Sequence, residues 1–209
     1  SALLFGLPSD FRYDSQRNGD SGAAKLTVAT SGPLDRLRDL AGNLGIVDIG
    51  GVHLADVDMR GTAELALDAA FPTGQKLQPG DIDVGIEMVV SDGTFGNLPV
   101  VGQVQNAELV ANFDATGASV SGSAEMLGVS SNLLVTFDDD TERVSMRVSA
   151  QKSAALADMM AARAGIDVNG TLAGSIELNS DLQFGNVLID VGVDFSNAGA
   201  SMPAIGWAK

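Results

Sequence analysis

The chain has 209 residues, 45% of them hydrophobic but only 5% aromatic, so its apolar side chains are mainly aliphatic. Its formal net charge of -15 opposes binding to nucleic acid or to an anionic membrane surface, because both partners require clustered Lys and Arg. The absence of cysteine excludes thiol catalysis, thiolate-bound zinc and disulfides, and no apolar stretch approaches the roughly 20 residues that span a bilayer.

The first part of the sequence alternates as strands do and then changes period. Residues 10–14 and 25–29 are predicted strands on either side of a turn at 18–22. After Pro33, apolar residues recur every three or four positions, at Leu34, Leu37, Leu40, Ala41 and Leu44. This period predicts a helix over about 33–43, with Pro33 in its first turn.

Alternation is clearest at residues 81–90, where every second side chain is apolar and points to one face of an extended strand. Residues 61–72 show the same pattern. Past a turn predicted at 93–99, further strands are expected near 100–113, 118–127, 131–138, 143–150, 170–178 and 186–195. Helical spacing of apolar residues predicts a second helix over about 153–164.

Short segments of sequence recur in the same order in the two halves of the chain. Residues 26–30 match 145–149, 45–46 match 165–166, 61–67 match 170–176, 82–85 match 189–192, and 99–102 match 203–206. Five weak matches in order predict an internal repeat, with units at residues 1–127 and 128–209. The second unit stops before counterparts of the last two strands of the first, so the chain is expected to be a piece of a longer repeat protein.

These patterns predict a mainly β fold with two short helices, in which a curled antiparallel sheet repeats and forms an elongated apolar groove. About ten strands carry an apolar face, but only two short helices are available to cover it. The same faces also fit ordinary packing in a closed core. On the groove interpretation, the lipid-binding residues that line it are Leu65, Leu67, Phe71, Ile82, Val84, Ile86, Met88, Leu109, Phe113, Leu133, Val135, Phe137, Met146, Val148, Ile176, Leu178, Ile189, Val191, Val193 and Phe195.

No catalytic residues, metal ligands or cofactor sites are predicted. His53 is the single histidine and no Gly-x-Ser-x-Gly motif accompanies it, so it is interpreted as a surface residue. The acidic run at 138–142 lacks the alternating spacing and glycine of an EF-hand loop, and a solvated hairpin turn is the favoured interpretation. The protein is therefore predicted not to be an enzyme.

The order of these elements resembles the repeating region of AsmA-like proteins of the YhdP and TamB type. The resemblance covers nearly the whole chain, and Ser130 departs from it by standing where a proline is typical. The segments that carry it are Ser31-Gly32-Pro33-Leu34 at the helix, the strand Gly61-Thr62-Ala63-Glu64-Leu65, then Phe95-Gly96-Asn97-Leu98-Pro99, and the Gly128-Val129 turn.

The resemblance implies a bacterial envelope protein that an N-terminal helix anchors in the inner membrane. A long β-groove would cross the periplasm and carry phospholipids toward the outer membrane, as part of outer membrane biogenesis, without catalytic residues or a cofactor. The expected partners are phospholipid or another acyl-chain lipid, and further repeats of the same chain at both ends. The alternative is a structural or adhesin-like β-repeat with a closed core and no lipid.

Overall fold

The structure is a computed structural model that describes residues 2–4, 6–18, 21–43, 48–49, 52–74, 76–98, 102–138, 141–164, 166–181, 186–202 and 206–208. Most of these residues form antiparallel strands, and the large sheet that they build does not close into a barrel. The predicted fold class, mainly β with two short helices and a curled antiparallel sheet, is confirmed.

The helices are α1 (Leu34–Asn43) and α2 (Ala154–Ala164), each beginning one residue later than the sequence predicts. Two short 3-10 helices lie at Leu54–Asp56 and Pro79–Asp81. The strands in the described residues are β1 (Ala2–Leu4), β2 (Leu7–Asn18), β3 (Ser21–Pro33), β4 (Asp48–Ile49), β5 (Val52–His53), β6 (Asp58–Thr73), β7 (Asp83–Leu98), β8 (Gly102–Asp114), β9 (Gly117–Met126), β10 (Val129–Asp138), β11 (Arg143–Ser153), β12 (Asp167–Gly170), β13 (Leu172–Asp181), β14 (Val187–Asp194), β15 (Ala198–Met202) and β16 (Trp207–Ala208).

Eleven strands form one sheet in the order β1-β2-β3-β6-β7-β8-β9-β10-β11-β13-β14. The order follows the chain, so the sheet is a meander in which α1 connects β3 to β6 and α2 connects β11 to β13. A small sheet of β12, β15 and β16 and the two-stranded pair β4–β5 lie apart from it. Most pairings need only a short connection, whereas residues 34–57 join β3 to β6 and residues 154–171 join β11 to β13.

The strand registers separate the side chains of the large sheet into two faces. Residues directly opposite each other on paired strands share a face, and every second residue along a strand shares it too. One continuous cross-strand row consists of Leu65, Met88, Ala111, Val120, Val135, Met146, Leu178 and Ile189. We call the side of the sheet that carries this row the apolar face, and the opposite side the polar face.

Both helices pack on the apolar face, toward one end of the strands. Leu34 and Leu37 of α1 are buried in a cluster with Leu7, Ala63 and Val90. In the second half of the chain, Leu156 and Ala157 of α2 are buried in a cluster with Val129 and Leu172. The hydroxyl of Ser153 accepts a hydrogen bond from the backbone N–H of Leu156 at 3.3 Å and so caps α2.

Several positions that the predicted repeat pairs with one another share backbone geometry. Gly61 and Gly170 have φ values of 116° and 126°, and each marks a break in a strand pairing. Gly6 and Gly128, at the β1–β2 and β9–β10 turns, have φ values of 84° and 76°. Positive φ values in this range favour glycine, which has no Cβ to clash with the neighbouring carbonyl.

The hydrogen bonds of two buried serines match in the same way. The Ser9 hydroxyl donates to the Leu7 carbonyl at 3.1 Å, and the Ser131 hydroxyl donates to the Val129 carbonyl at 3.3 Å. Both serines lie on the apolar face two residues beyond a buried aliphatic residue, Leu7 or Val129. A local hydrogen bond removes the cost of burying a hydroxyl among apolar neighbours.

The registers correct two of the sequence matches. If Ser9 and Ser131 correspond, so do the residues opposite them, Thr30 and Ala150. The residues four positions earlier are Leu26 and Met146, so Met146 rather than Ser145 is the counterpart of Leu26. The sequence match was therefore wrong by one residue, and it paired side chains on opposite faces.

The second correction concerns the strands β7 and β14. Leu67 lies opposite Ile86, whereas the counterpart of Leu67, Ile176, lies opposite Val191. Val84, not Ile82, therefore corresponds to Ile189. This two-residue error leaves every side chain on its correct face because the period of a strand is two.

One predicted turn is wrong. The sequence predicted a turn at 93–99, but β7 continues without interruption to Leu98. Asp92 has a φ of 51°, and the pairing with β8 shifts between Val90 and Gly93, so the chain forms a bulge there instead of reversing. Several sequence predictions fall wholly or partly outside the described residues: those at 18–22, 45–46, 99–102, 165–166 and 203–206.

Candidate functional site

The residues predicted to line a groove share the apolar face. All of them except Ile82 and Phe195 lie within strands of the large sheet, and the registers place every one of those strand residues on this face. Ile82 directly precedes β7, and Phe195 directly follows β14 and packs against the cluster under α2. Strict alternation brings these side chains together, because it directs every second residue to the same side.

None of the predicted lining residues is buried. Most are half-buried, and the most exposed lie toward the β14 edge, where Ile189 and Val191 keep 56% and 67% of their surfaces accessible. Beneath the helices the same face is closed, since Ala63 and Leu172 are 2% and 0% exposed. The apolar face is therefore a core under α1 and α2, and a third buried cluster of Val104, Ala107 and Ala124 lies on β8 and β9. Most of its other residues are half-buried, those of β14 are exposed, and no lipid groove is formed by the described residues.

The uncovered part of the apolar face crosses most of the sheet. The row from Leu65 to Ile189 contains an aliphatic side chain or methionine on every strand from β6 to β14. At about 4.8 Å per strand, the ten strands from β2 to β14 extend over roughly 43 Å. Of the eight residues in the row, Ile189 is exposed, Ala111 is buried and the other six are half-buried, so the row is a partly accessible apolar strip.

Several side chains of the apolar face are not among the lining residues predicted from the sequence. Phe11 and Tyr13 on β2 are 49% and 60% exposed, and Phe11 lies in the neighbouring cross-strand row, which runs through Val28 to Leu67. The signal was present in the sequence, because residues 10–14 alternate like the other strands. Ser180 is also on this face, between Val144 and Val187, and its buried hydroxyl has no hydrogen-bond partner among the residues that the structure describes.

The polar face carries charged and hydroxyl side chains that pair with one another across strands. The Thr27 hydroxyl donates to Asp68 at 2.6 Å and the Lys25 ammonium lies 3.2 Å from the same carboxylate. These contacts hold the pKa of Asp68 below its ordinary value, with the Thr27 hydrogen bond as the larger cause. Arg147 donates to Glu177 at 2.8 Å and likewise lowers the pKa of Glu177.

Four shallow hollows of about 310 to 600 Å³ lie along the polar face. The largest lies over β10, β11 and β13 and includes Asp138, Arg143 and Asn179, whereas one of about 410 Å³ includes Asp10, Glu64 and Glu87. Their walls mix carboxylates with hydroxyl and amide groups. Apolar residues such as Ala66, Val89 and Leu188 line them as well.

The described residues contain no group of three or more His, Cys, Asp or Glu side chains placed to hold a metal ion. In the acidic run at 138–142, residues 139–140 lie outside the described residues. The carboxylate of Asp138 accepts a hydrogen bond from the Thr141 backbone N–H at 2.9 Å, as in a hairpin turn. None of the helices within the described ranges has the length and hydrophobicity needed to cross a bilayer.

Comparison of the chain with protein-family models, curated proteins and solved structures gives no match.

Proposed function

We propose that this chain is a periplasmic segment of a bridge-like phospholipid transport protein, in which the apolar face shields acyl chains from water. The observation that carries the proposal is the extent of that face: an apolar row crosses the eight neighbouring strands from β6 to β14, and all of its residues except Ala111 are half-buried or exposed. A single compact ligand would need only a small pocket. A continuous apolar surface suits a chain molecule that changes position along it.

The chemistry of the lining supports acyl chains as the ligand. The side chains are mainly Leu, Ile, Val and Met, with few aromatic rings and no charged group in the row from Leu65 to Ile189. Each methylene removed from water contributes about 0.8 kcal/mol without any requirement for direction. Such a surface holds saturated or unsaturated tails alike, so it selects for apolar chains and not for a particular head group.

The charged and hydroxyl side chains of the polar face favour contact with water on that side of the sheet. Its ion pairs are exposed, and pairs of this kind contribute little to stability. Together with the net charge of -15 they keep a protein with a broad apolar face soluble. The resemblance to AsmA-like repeats adds the proposed location: the periplasm, in a protein that is anchored to the inner membrane and continues into further repeats.

Two exposed positions on one strand test the proposal. Val191 lies on the apolar face of β14 and Leu188 on the polar face, with 67% and 61% of their surfaces accessible. We expect the Val191→Glu protein, extracted without detergent from a cell envelope, to retain severalfold less phospholipid than the unmodified protein, because a carboxylate beside acyl chains must lose its hydration. The Leu188→Glu protein should retain the original amount, and mass spectrometry of the copurified lipid measures both.

The same experiment separates the proposal from a lipid-free structural module. If the unmodified protein carries no lipid, or if both variants lose it equally while circular dichroism shows intact strands, the apolar face is not the lipid site. A photocrosslinking side chain at Ile86 supplies a second measurement, with Glu87 on the polar face of the same strand as its control. Lipid adducts are expected at position 86 alone.

A further inference from the structure

A hollow of about 600 Å³ lies on the polar face at the ends of three neighbouring strands. β10 ends at Asp138, β11 begins at Arg143 and β13 ends at Asp181, and the registers place Arg143 opposite both carboxylates. These side chains are the charged groups among the described residues that line the hollow, and two carboxylates with one guanidinium give it a net charge of -1. Because α2 follows the other end of β11, the hollow lies at the strand ends that are farther from α2.

Arg143 is not paired with either of these carboxylates. Its guanidinium forms no hydrogen bond or ion pair within the described part of the chain. Arg147, four residues further along the same strand and on the same face, donates to Glu177 directly opposite it at 2.8 Å. A cross-strand pair is therefore attainable on this face of β11, and the donors of Arg143 are available to a ligand.

The carboxylates beside Arg143 are held by their own turns. Asp138 accepts a hydrogen bond from the Thr141 backbone N–H at 2.9 Å. Asp181 accepts hydrogen bonds from the backbone N–H and the side-chain amide of Asn186, at 3.1 and 3.0 Å. These bonds direct both carboxylates toward the loops. Asp138 keeps further acceptor sites beside the hollow, because a carboxylate has about four lone-pair positions.

The three charges favour a zwitterion over an anion. A guanidinium binds a phosphate group through two parallel N–H donors. A phosphate without a cationic group also meets the net negative charge of the hollow, which opposes its binding. An ammonium group joined to the phosphate by two methylenes can instead lie beside the carboxylate of Asp138, which stabilises it. The hollow therefore suits a phosphoethanolamine group.

We propose that this hollow binds the head group of phosphatidylethanolamine, with the phosphate on Arg143 and the ammonium on Asp138. That the head group belongs to a lipid rests on the proposed function, in which the acyl chains lie on the apolar face and the head group reaches the strand ends, where the two faces meet. The apolar face determines how much lipid the protein holds, and the hollow determines which head group is preferred. Phosphatidylglycerol lacks the ammonium and binds less tightly.

Soluble head groups test the hollow without the acyl chains. Glycerophosphoethanolamine and glycerophosphoglycerol are titrated into the 209-residue protein, and NMR follows the backbone N–H groups of Ser145 and Asn179, which line the hollow. We expect the first compound to bind about twofold to fivefold more tightly than the second. Asp138→Asn should remove this preference, and its side-chain oxygen can still accept the hydrogen bond from Thr141.

Two arginines of β11 provide a matched pair of variants. Arg143→Gln should weaken the binding of both soluble head groups by about fivefold, because it removes the donors to phosphate. Arg147→Gln lies outside the hollow and should leave their binding unchanged. The proposal is overturned if the two variants act equally, or if the unmodified protein binds the two head groups equally.

Vesicles of equal parts phosphatidylethanolamine and phosphatidylglycerol test the lipid source. Mass spectrometry of the lipid that the protein takes up should show phosphatidylethanolamine enriched about twofold to fivefold, and Asp138→Asn should abolish the enrichment. Equal uptake of both lipids would leave lipid binding in place and overturn the head-group site. Uptake of neither lipid, with glycerophosphoethanolamine still bound at Arg143, would contradict the proposed function and overturn the lipid as the source of the head group.

Discussion

The apolar face of the sheet has two regions that follow the same sequence rule and have different roles. Beneath the helices, Ala63 and Leu172 alternate with polar neighbours and are buried completely or nearly so. Across the rest of the face, residues such as Val135 and Ile176 alternate in the same way and remain half-buried or exposed. Alternation thus determines the side to which a residue points, whereas the presence of a covering element determines whether it becomes core.

The largest expected difference between the two regions is in stability. Leu172 is completely buried beneath α2, so Leu172→Ala should lower the free energy of unfolding by about 2–5 kcal/mol, through lost burial and the cavity that remains. Val191→Ala, on the uncovered part of the same face, should change it by about 0.5 kcal/mol or less. Urea denaturation followed by circular dichroism measures both, and equal losses would show that the uncovered region is also core.

A smaller effect is expected from backbone geometry at two strand glycines, Gly122 on the apolar face and Gly85 on the polar face. Gly122 has a φ of 151°, and a Cβ there would lie 2.0 Å from the Glu108 carbonyl oxygen. Gly122→Ala should therefore cost about 1–3 kcal/mol. At Gly85 a Cβ would meet no atom within 4 Å, so Gly85→Ala should be neutral or slightly stabilising. A thermal melt in which both variants behave alike would contradict the strained geometry at Gly122.

The smallest expected effect lies on the polar face and depends on pH. The pKa of Asp68 is lowered in the folded protein, so the stability from this carboxylate is present above its unfolded pKa and is lost as pH falls through the folded value. Thr27→Val removes the larger cause, and we expect the pKa of Asp68 to rise toward 3.8. A carboxyl titration by NMR measures it. Lys25→Met should raise it as well, because the ammonium contributes both a hydrogen bond and a charge, and an unchanged pKa in either variant would contradict the contact that was removed.

Much of the fold follows from the sequence because apolar residues alternate along most of the strands, although Val110, Leu134 and Leu188 lie on the polar face. The side to which Ile86, Val135 or Val191 points requires no knowledge of its neighbours, and the registers placed each of them as expected. Pairing between the halves was harder to predict. The sequence match paired Leu26 with Ser145, whereas the strand registers pair Leu26 with Met146. A comparison of residue types contains no information about the hydrogen-bond register.

The bulge at Asp92 marks another limit of the sequence. The residue types of Ser91-Asp92-Gly93 fit a turn. The strand stays continuous because β7 pairs with both β6 and β8 before and after this segment. The sequence also did not show how much of the apolar face is buried, because the number of helices does not determine the area that they cover. Lipid binding on that face stays a prediction, as does the division of the chain into two repeat units.

The meander topology has a consequence for how such a protein changes size. The apolar rows cross the strands at right angles, so the length of the face depends on the number of strands and its width on their length. Duplication of one hairpin would lengthen the face by about 9.6 Å and leave its cross-section unchanged. Evolution could thus change the length of the apolar face in steps of one hairpin, to match a wider or narrower gap, without changing the surface of each hairpin.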